Sequence, residues 1–329
     1  MPDHDPAARR SVGRIGLWGA PGCGKTTFLA ALNIAASRLP PQEFTISGMD
    51  GASASLLAEN TERLTRDRQF PAITVNEGQC SYLVRIMAKV LERHRFGRQT
   101  MTTVPVEMSL GLLGEQGQII SEIPADDKTD DDDMSMPVAE EVVMGGPASG
   151  NGLLLLFDPI KERDRSDTFD HLKGALLRIA QRWIASHATP AGQLPHYVAV
   201  CFTKFDHPDI YLRAKERGYR NFSVDDPFMF PCVHDELAEL FFDELMQSER
   251  GNADLVVGAL RRYFEPDRVR FFATSAIGFY KNPKVARFEE GDFINTLNRE
   301  DGGFEIRGAI HPINVIEPLM WICNRLASA

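Results

Sequence analysis

Gly19-Ala-Pro-Gly22-Cys23-Gly24-Lys25-Thr26 sets glycines at fixed spacing ahead of a lysine and a hydroxyl. The chemistry that spacing serves is phosphate binding. Glycines let successive backbone N–H groups turn inward around phosphate oxygens, and a helix opening at Lys25 adds its positive dipole end. Lys25 would reach the β- and γ-phosphates of a nucleotide, and Thr26 would place its hydroxyl on Mg²⁺, with Thr27 following among the nucleotide-binding residues. Cys23 is expected to contribute its backbone N–H rather than its thiol, although the phosphate-binding field would lower the thiol's pKa. The context is the one this motif needs: an apolar strand, Arg14 to Gly19, runs into it, and a helix from Lys25 to about Arg38 runs out and stops at Pro40-Pro41.

Two further segments follow strands. Thr203-Lys204-Phe205-Asp206 comes directly after the apolar run His196–Phe202, and Thr274-Ser275-Ala276 directly after Val269–Ala273. Their order and their places at strand C-terminal ends, where open α/β sheets bind ligands, make the chain resemble the Ras-like (TRAFAC) superclass of P-loop GTPases. Its length and the terminal segment PINVIEPLMWI are similar to the bacterial double-GTPase branch of conflict and signalling systems. The resemblance covers most of residues 13–329 and implies that GTP or GDP is the ligand, held with Mg²⁺. It implies that Asp206 accepts the N1 and N2 protons of guanine, that the Lys204 stem covers the base, and that Ala276, after Ser275, donates its N–H to O6, with Thr203 opening the motif. Adenine presents the opposite pattern at those edges and would leave a buried carboxylate unpaired.

The chain departs from the family at two motifs. The segment matching D-x-x-G is Glu122-Ile-Pro-Ala125, with Glu for Asp and Ala for Gly, so Glu122 is the candidate for the acid that meets the metal through water. Thr74 is the candidate for the loop threonine that ligates Mg²⁺, and an ordinary loop threonine is the alternative. Asp158 ends the run Gly152-Leu-Leu-Leu-Leu-Phe-Asp158 and reads two ways. It is either an ATPase-type Mg²⁺ ligand or a loop cap ahead of Pro159, and the cap is favoured because the TKFD segment follows one helix and one strand later.

The elements that must position these residues are those of an α/β fold: a mostly parallel three-layer sheet with helices on both faces and large insertions. Expected helices are 50–68, 166–187, 234–248, 253–264 and 313–326. Strands are expected at Tyr82–Met87, Val104–Leu110 and Gln118–Ile123, and Gly152–Phe157 reads as a strand buried on both faces. Residues 1–12 read as a disordered tail and 13–329 as one domain, with insertions near 40–78, 88–103, 124–151 and 207–265.

Composition sets the outer bounds. With 43% apolar and 25% charged residues, the chain of 329 is an ordinary globular one. Lys+Arg at 36 against Asp+Glu at 46 give −10, the wrong sign for holding nucleic acid or an anionic membrane. Most of that charge lies in 115–141, whose Asp130–Asp133 run reads as a solvated loop rather than a metal site. Five dispersed cysteines without a C-x-x-C pair suggest neither disulfides nor zinc. The N-terminus has no secretory h-region, no apolar run approaches the ~20 residues of a membrane span, and a cytosolic location is expected. The function expected is a guanine-nucleotide switch that hydrolyses GTP slowly and depends on a protein partner or activating protein. The alternatives are a nucleotide-binding scaffold that does not hydrolyse GTP and an ATPase using Asp158.

Overall fold

The computed structural model describes residues 10–72, 80–93, 99–112, 151–165, 168–186, 193–224, 226–247, 255–300 and 303–328. Thr74, Glu122 with Ala125, the expected strand at 118–123 and the acidic run 130–133 lie outside these residues.

The architecture is mixed α/β around a mostly parallel sheet. Its strands are β1 (Arg10–Gly19), β2 (Phe44–Gly48), β3 (Ser81–Arg93), β4 (Gln99–Leu112), β5 (Asn151–Phe157), β6 (Tyr197–Phe202) and, after two short strands β7 (Arg220–Phe222) and β8 (Pro231–Val233), β9 (Val269–Ala273). The order across the main sheet is β2-β3-β4-β1-β5-β6-β9. From β4 to β9 every neighbour runs parallel, while β2, β3 and β4 pair antiparallel at one edge. β10 to β13 (281–282, 287–288, 296–298 and 304–306) form two small antiparallel pairs.

Burial of β5 explains the layering. Its pleat sends Leu153, Leu155 and Phe157 into one apolar cluster and Leu154 and Leu156 into another, so no residue of this strand meets solvent. On the first face lie α4 (Thr168–Ser186), α6 (Asp235–Gln247) and α7 (Leu255–Tyr263), contributing Leu172, Leu176, Phe241, Phe242 and Leu260. On the second lie α1 (Lys25–Ala36) and the terminal helix α8 (Glu317–Ser328), contributing Phe28, Leu32, Leu319 and Ile322. Between them in sequence come α2 (Gly51–Thr65), α3 (Pro159–Arg165) and α5 (Pro208–Glu216). Asp50 caps α2, its carboxylate accepting the Ser53 N–H at 2.7 Å.

α8 approaches β5 closely enough that a Cβ on Gly152 would stand 2.4 Å from Ile322 Cγ2. Gly152→Val is therefore expected to lower stability by about 1–3 kcal/mol through overpacking, measured by urea unfolding. An unchanged midpoint would show that α8 is free to shift.

Three expected boundaries are corrected. β1 begins at Arg10 rather than Arg14, because its ladder with β4 continues past a register shift at Ser11/Gly13. β3 and β4 extend well beyond 82–87 and 104–110, pairing continuously from Ser81↔Gly111 to Arg93↔Gln99, so residues 88–93 and 99–103 are ladder. α8 starts at Glu317 and not at 313, because Ile313 exchanges backbone hydrogen bonds with Ser275 and Asn314 sits at φ 53°, neither of which is helical.

Candidate functional site

The phosphate-binding motif leaves β1 at Gly19 and enters α1 at Lys25. A Cβ on Gly19 would stand 2.3 Å from Cys23 Sγ, so the close turn needs glycine there. Gly22 at φ 72° and Gly24 at φ 97° lie in the left-handed region, where a side chain is strained. Gly24 is the N-cap of α1 and no side chain caps that helix, which leaves the ligand-facing task to its backbone. Cys23 is buried: its thiol packs in the core cluster and its N–H donates to Ala20 O at 3.1 Å. Lys25 is 5% exposed, and its ammonium donates to Gly19 O at 2.9 Å, inside the motif itself. Thr26 and Thr27 follow in the first turn of α1, both half-buried.

The next parallel strand adds Asp158, read in the sequence as a cap or a metal ligand, and Lys161, which motif reading did not single out. Asp158, at the end of β5, is fully buried. One of its carboxylate oxygens accepts the N–H groups of Ile160 and Lys161, each at 3.1 Å, and so caps α3. The other lies 2.7 Å from Lys204 Nζ. Lys161, three positions beyond Asp158, donates from its ammonium to Pro21 O of the phosphate loop. A lysine one turn beyond the end of the strand beside β1 was the available signal. The geometry agrees with the cap expected of Asp158, one oxygen accepting two N–H groups and the other facing the Lys204 ammonium.

Thr203-Lys204-Phe205-Asp206 turns sharply off β6. Thr203 N–H donates to Phe157 O at 2.8 Å and Phe205 N–H to Thr274 O at 3.0 Å, tying this turn to β5 and β9 at once. Phe205 is fully buried in an aromatic cluster with Tyr211 and Phe279, which fixes the backbone on either side of it. Lys204 is held at φ 62° and exposed. The Asp206 carboxylate accepts the Ser275 hydroxyl at 2.5 Å, and that hydroxyl oxygen accepts the Gly278 N–H at 2.8 Å. Ala276 stands beside them, half-buried. Burial pushes the Asp206 carboxyl up to about 6, against the opposing pull of the Ser275 hydrogen bond and the Lys204 charge.

The structure thus brings together Gly19 to Thr27, Asp158, Lys161, Thr203 to Asp206 and Ser275-Ala276, all at the C-terminal ends of the neighbouring strands β1, β5, β6 and β9. Chemically this edge offers turned backbone N–H groups and an ammonium for an anion, then a carboxylate anchored by a serine for a pair of donors. Among the described residues, no helix is long and apolar enough to cross a membrane.

No protein-family model matches the chain, and no curated protein matches it. Among solved structures, it is similar to the crystal structure of sup35 complexed with GDP, with a TM-score of 0.30 and 11% identity over 84% of this chain. The chain spans 40% of that neighbour. A likeness of this size carries no weight for function, which rests on the residues themselves.

Proposed function

We propose that the chain is a guanine-nucleotide-binding switch with a Ras-like P-loop fold. The observation that carries this reading is the Asp206 carboxylate, fixed by Ser275 at the same sheet edge as the Gly19–Thr26 loop. A carboxylate at that place accepts from two adjacent N–H groups, which guanine has and adenine lacks. The strand order supports it: the loops that would touch phosphate and base leave β1, β6 and β9, with only β5 between β1 and β6.

GTP and GDP are the proposed ligands, with Lys25 and the loop amides on the phosphates and Lys204 over the base. Mg²⁺ would be held by Thr26, a donor set that suits an ion bound chiefly through phosphate oxygens and water, and it would neutralise charge on the β- and γ-phosphates. Thr74 and Glu122 remain proposed partners of that site. Hydrolysis, on this reading, is phosphoryl transfer to water, in which Lys25 and the amides stabilise the transferring group by position and charge. With Ala125 where the family has glycine, no described residue orients the water, so turnover by the chain alone is expected near or below ~10⁻⁴ s⁻¹. A protein partner that supplies an arginine or a water-positioning group would raise it.

An ATPase reading would require Asp158 to hold the metal, and the cap of α3 and the pair with Lys204 oppose that. The deciding experiment is competition of labelled GTP by unlabelled ATP and GDP, followed by single-turnover phosphate release. Displacement by ATP as readily as by GDP overturns the guanine reading, and fast release overturns the need for a partner.

A pH dependence follows. Ionised Asp206 is the form that accepts guanine's protons, and its carboxyl in the free protein titrates at about 6. GTP affinity is therefore expected to be flat above that pH and to fall by about tenfold per unit below it, because binding must then expel a proton. Fluorescence titration with labelled GDP across this range reads it. A flat profile would remove Asp206 from the base contact.

A further inference from the structure

Asp158 does more in this fold than end a strand. It is fully buried, and its Oδ1 accepts the Ile160 and Lys161 N–H groups, while its Oδ2 has no hydrogen-bond donor among the described residues. What Oδ2 meets is the Lys204 ammonium, 2.7 Å away. A buried carboxylate needs a compensating charge, and Lys204 supplies it. The two side chains differ in exposure, that of Asp158 at 1% and that of Lys204 at 45%. Lys204 is thus held by its ammonium while much of its side chain stays open to solvent.

The backbone beneath that side chain is held as well. Thr203 donates to Phe157 O from its N–H at 2.8 Å and from its hydroxyl at 3.3 Å, which sets Lys204 beside Asp158. Lys204 itself takes φ 62°, a left-handed conformation uncommon for a residue with a Cβ. A long flexible side chain ordinarily loses rotamer freedom when a ligand packs against it. Fixing it beforehand removes that cost from binding.

We propose that Asp158 is a positioning residue for base recognition, holding the Lys204 ammonium so that the four-carbon stem lies ready as an apolar wall for the face of a purine. This rests on the nucleotide reading, in which Lys204 covers the base. It gives Asp158 a duty distinct from its cap of α3, because the two duties use different oxygens. They can therefore be separated. Asp158→Asn keeps a carbonyl oxygen for the α3 N–H groups, and so keeps Lys161 on Pro21 O of the phosphate loop, but it removes the charge that holds Lys204.

The test is calorimetric titration with GDP and with inorganic tripolyphosphate, which has no base. It compares wild type, Asp158→Asn, Lys204→Met and the double variant of the full chain, with circular dichroism confirming each fold. Asp158→Asn is expected to weaken GDP by about tenfold and to leave tripolyphosphate within about twofold of wild type. The double variant is expected to bind GDP no more weakly than Lys204→Met alone, since Asp158 acts on the base only through that lysine. Unchanged GDP affinity in folded Asp158→Asn overturns the proposal, as does an equal loss of tripolyphosphate, or losses that add in the double variant. Should Asp158→Asn fail to fold, Lys204→Met against the double variant, which keeps neither charge of the pair, decides by the same criterion. Wild type that binds tripolyphosphate but not GDP overturns the guanine reading and this proposal together. Where wild type binds GDP, the failures named for the variants overturn this proposal alone.

Discussion

Lys25→Ala is expected to weaken binding of a nucleoside triphosphate by about 30- to 5,000-fold, which corresponds to the cost of about 2–5 kcal/mol for truncating one partner of a desolvated charge pair. The fold should survive the change at a moderate cost. Lys25 is almost fully buried, and its ammonium donates to Gly19 O within its own loop. The change in unfolding free energy should stay within about 1.5–3 kcal/mol, the range for a hydrogen bond to a charged group. When triphosphate enters, the ammonium must exchange that carbonyl for phosphate oxygens. The measurement is labelled-nucleotide titration beside thermal unfolding of the same samples. Wild-type affinity in a folded variant would remove the phosphate-binding assignment, and with it the nucleotide reading as a whole.

Asp206→Asn is the second large effect, and it tests the base rather than the phosphate. An amide at this place can still accept the Ser275 hydroxyl on its carbonyl oxygen, so the bond at 2.5 Å and the turn off β6 should survive. What changes is the outer edge, where the amide nitrogen donates and can no longer accept from guanine's N2. GTP is expected to lose about 10²-fold or more, in line with the penalty for unpaired polar groups in sites built to hydrogen-bond their ligand. Xanthosine triphosphate, with N1–H beside a C2 carbonyl, is expected to gain correspondingly. Competition of the two nucleotides on wild type and variant reads the exchange. If the variant keeps its GTP affinity, or gains nothing for the xanthine nucleotide, Asp206 does not read the base. The phosphate site is untouched by that result, so the two variants fail independently.

What could be read in the chain alone was local. Gly19, Gly22 and Gly24 announce a turn that needs positive φ and close approach, and both consequences are settled within a few residues of Lys25. Gly152 to Phe157 announces a strand buried on both faces, because no polar residue interrupts it. Thr203 to Asp206 and Thr274 to Ala276 announce themselves as turns after strands, although neither says what it meets.

The tertiary structure decided the pairings between distant segments. In sequence Asp158 is favoured as a cap over a metal ligand only by the order of the motifs, and it is the fold that sets Lys204, just past the next strand, 2.7 Å from its second oxygen. Asp206 is one carboxylate among many until Ser275, brought beside it by the β6–β9 ladder, fixes its orientation. The ends of β3 and β4 depend on each other, since a strand continues as long as its partner offers a ladder and its own periodicity does not mark the stop. The start of α8 was displaced for a similar reason: Ile313 pairs with Ser275, and that long-range bond overrides the local helical pattern. Local preference is written in neighbouring residues, whereas the partner that resolves a buried charge or ends an element is supplied by a segment the chain brings back only on folding.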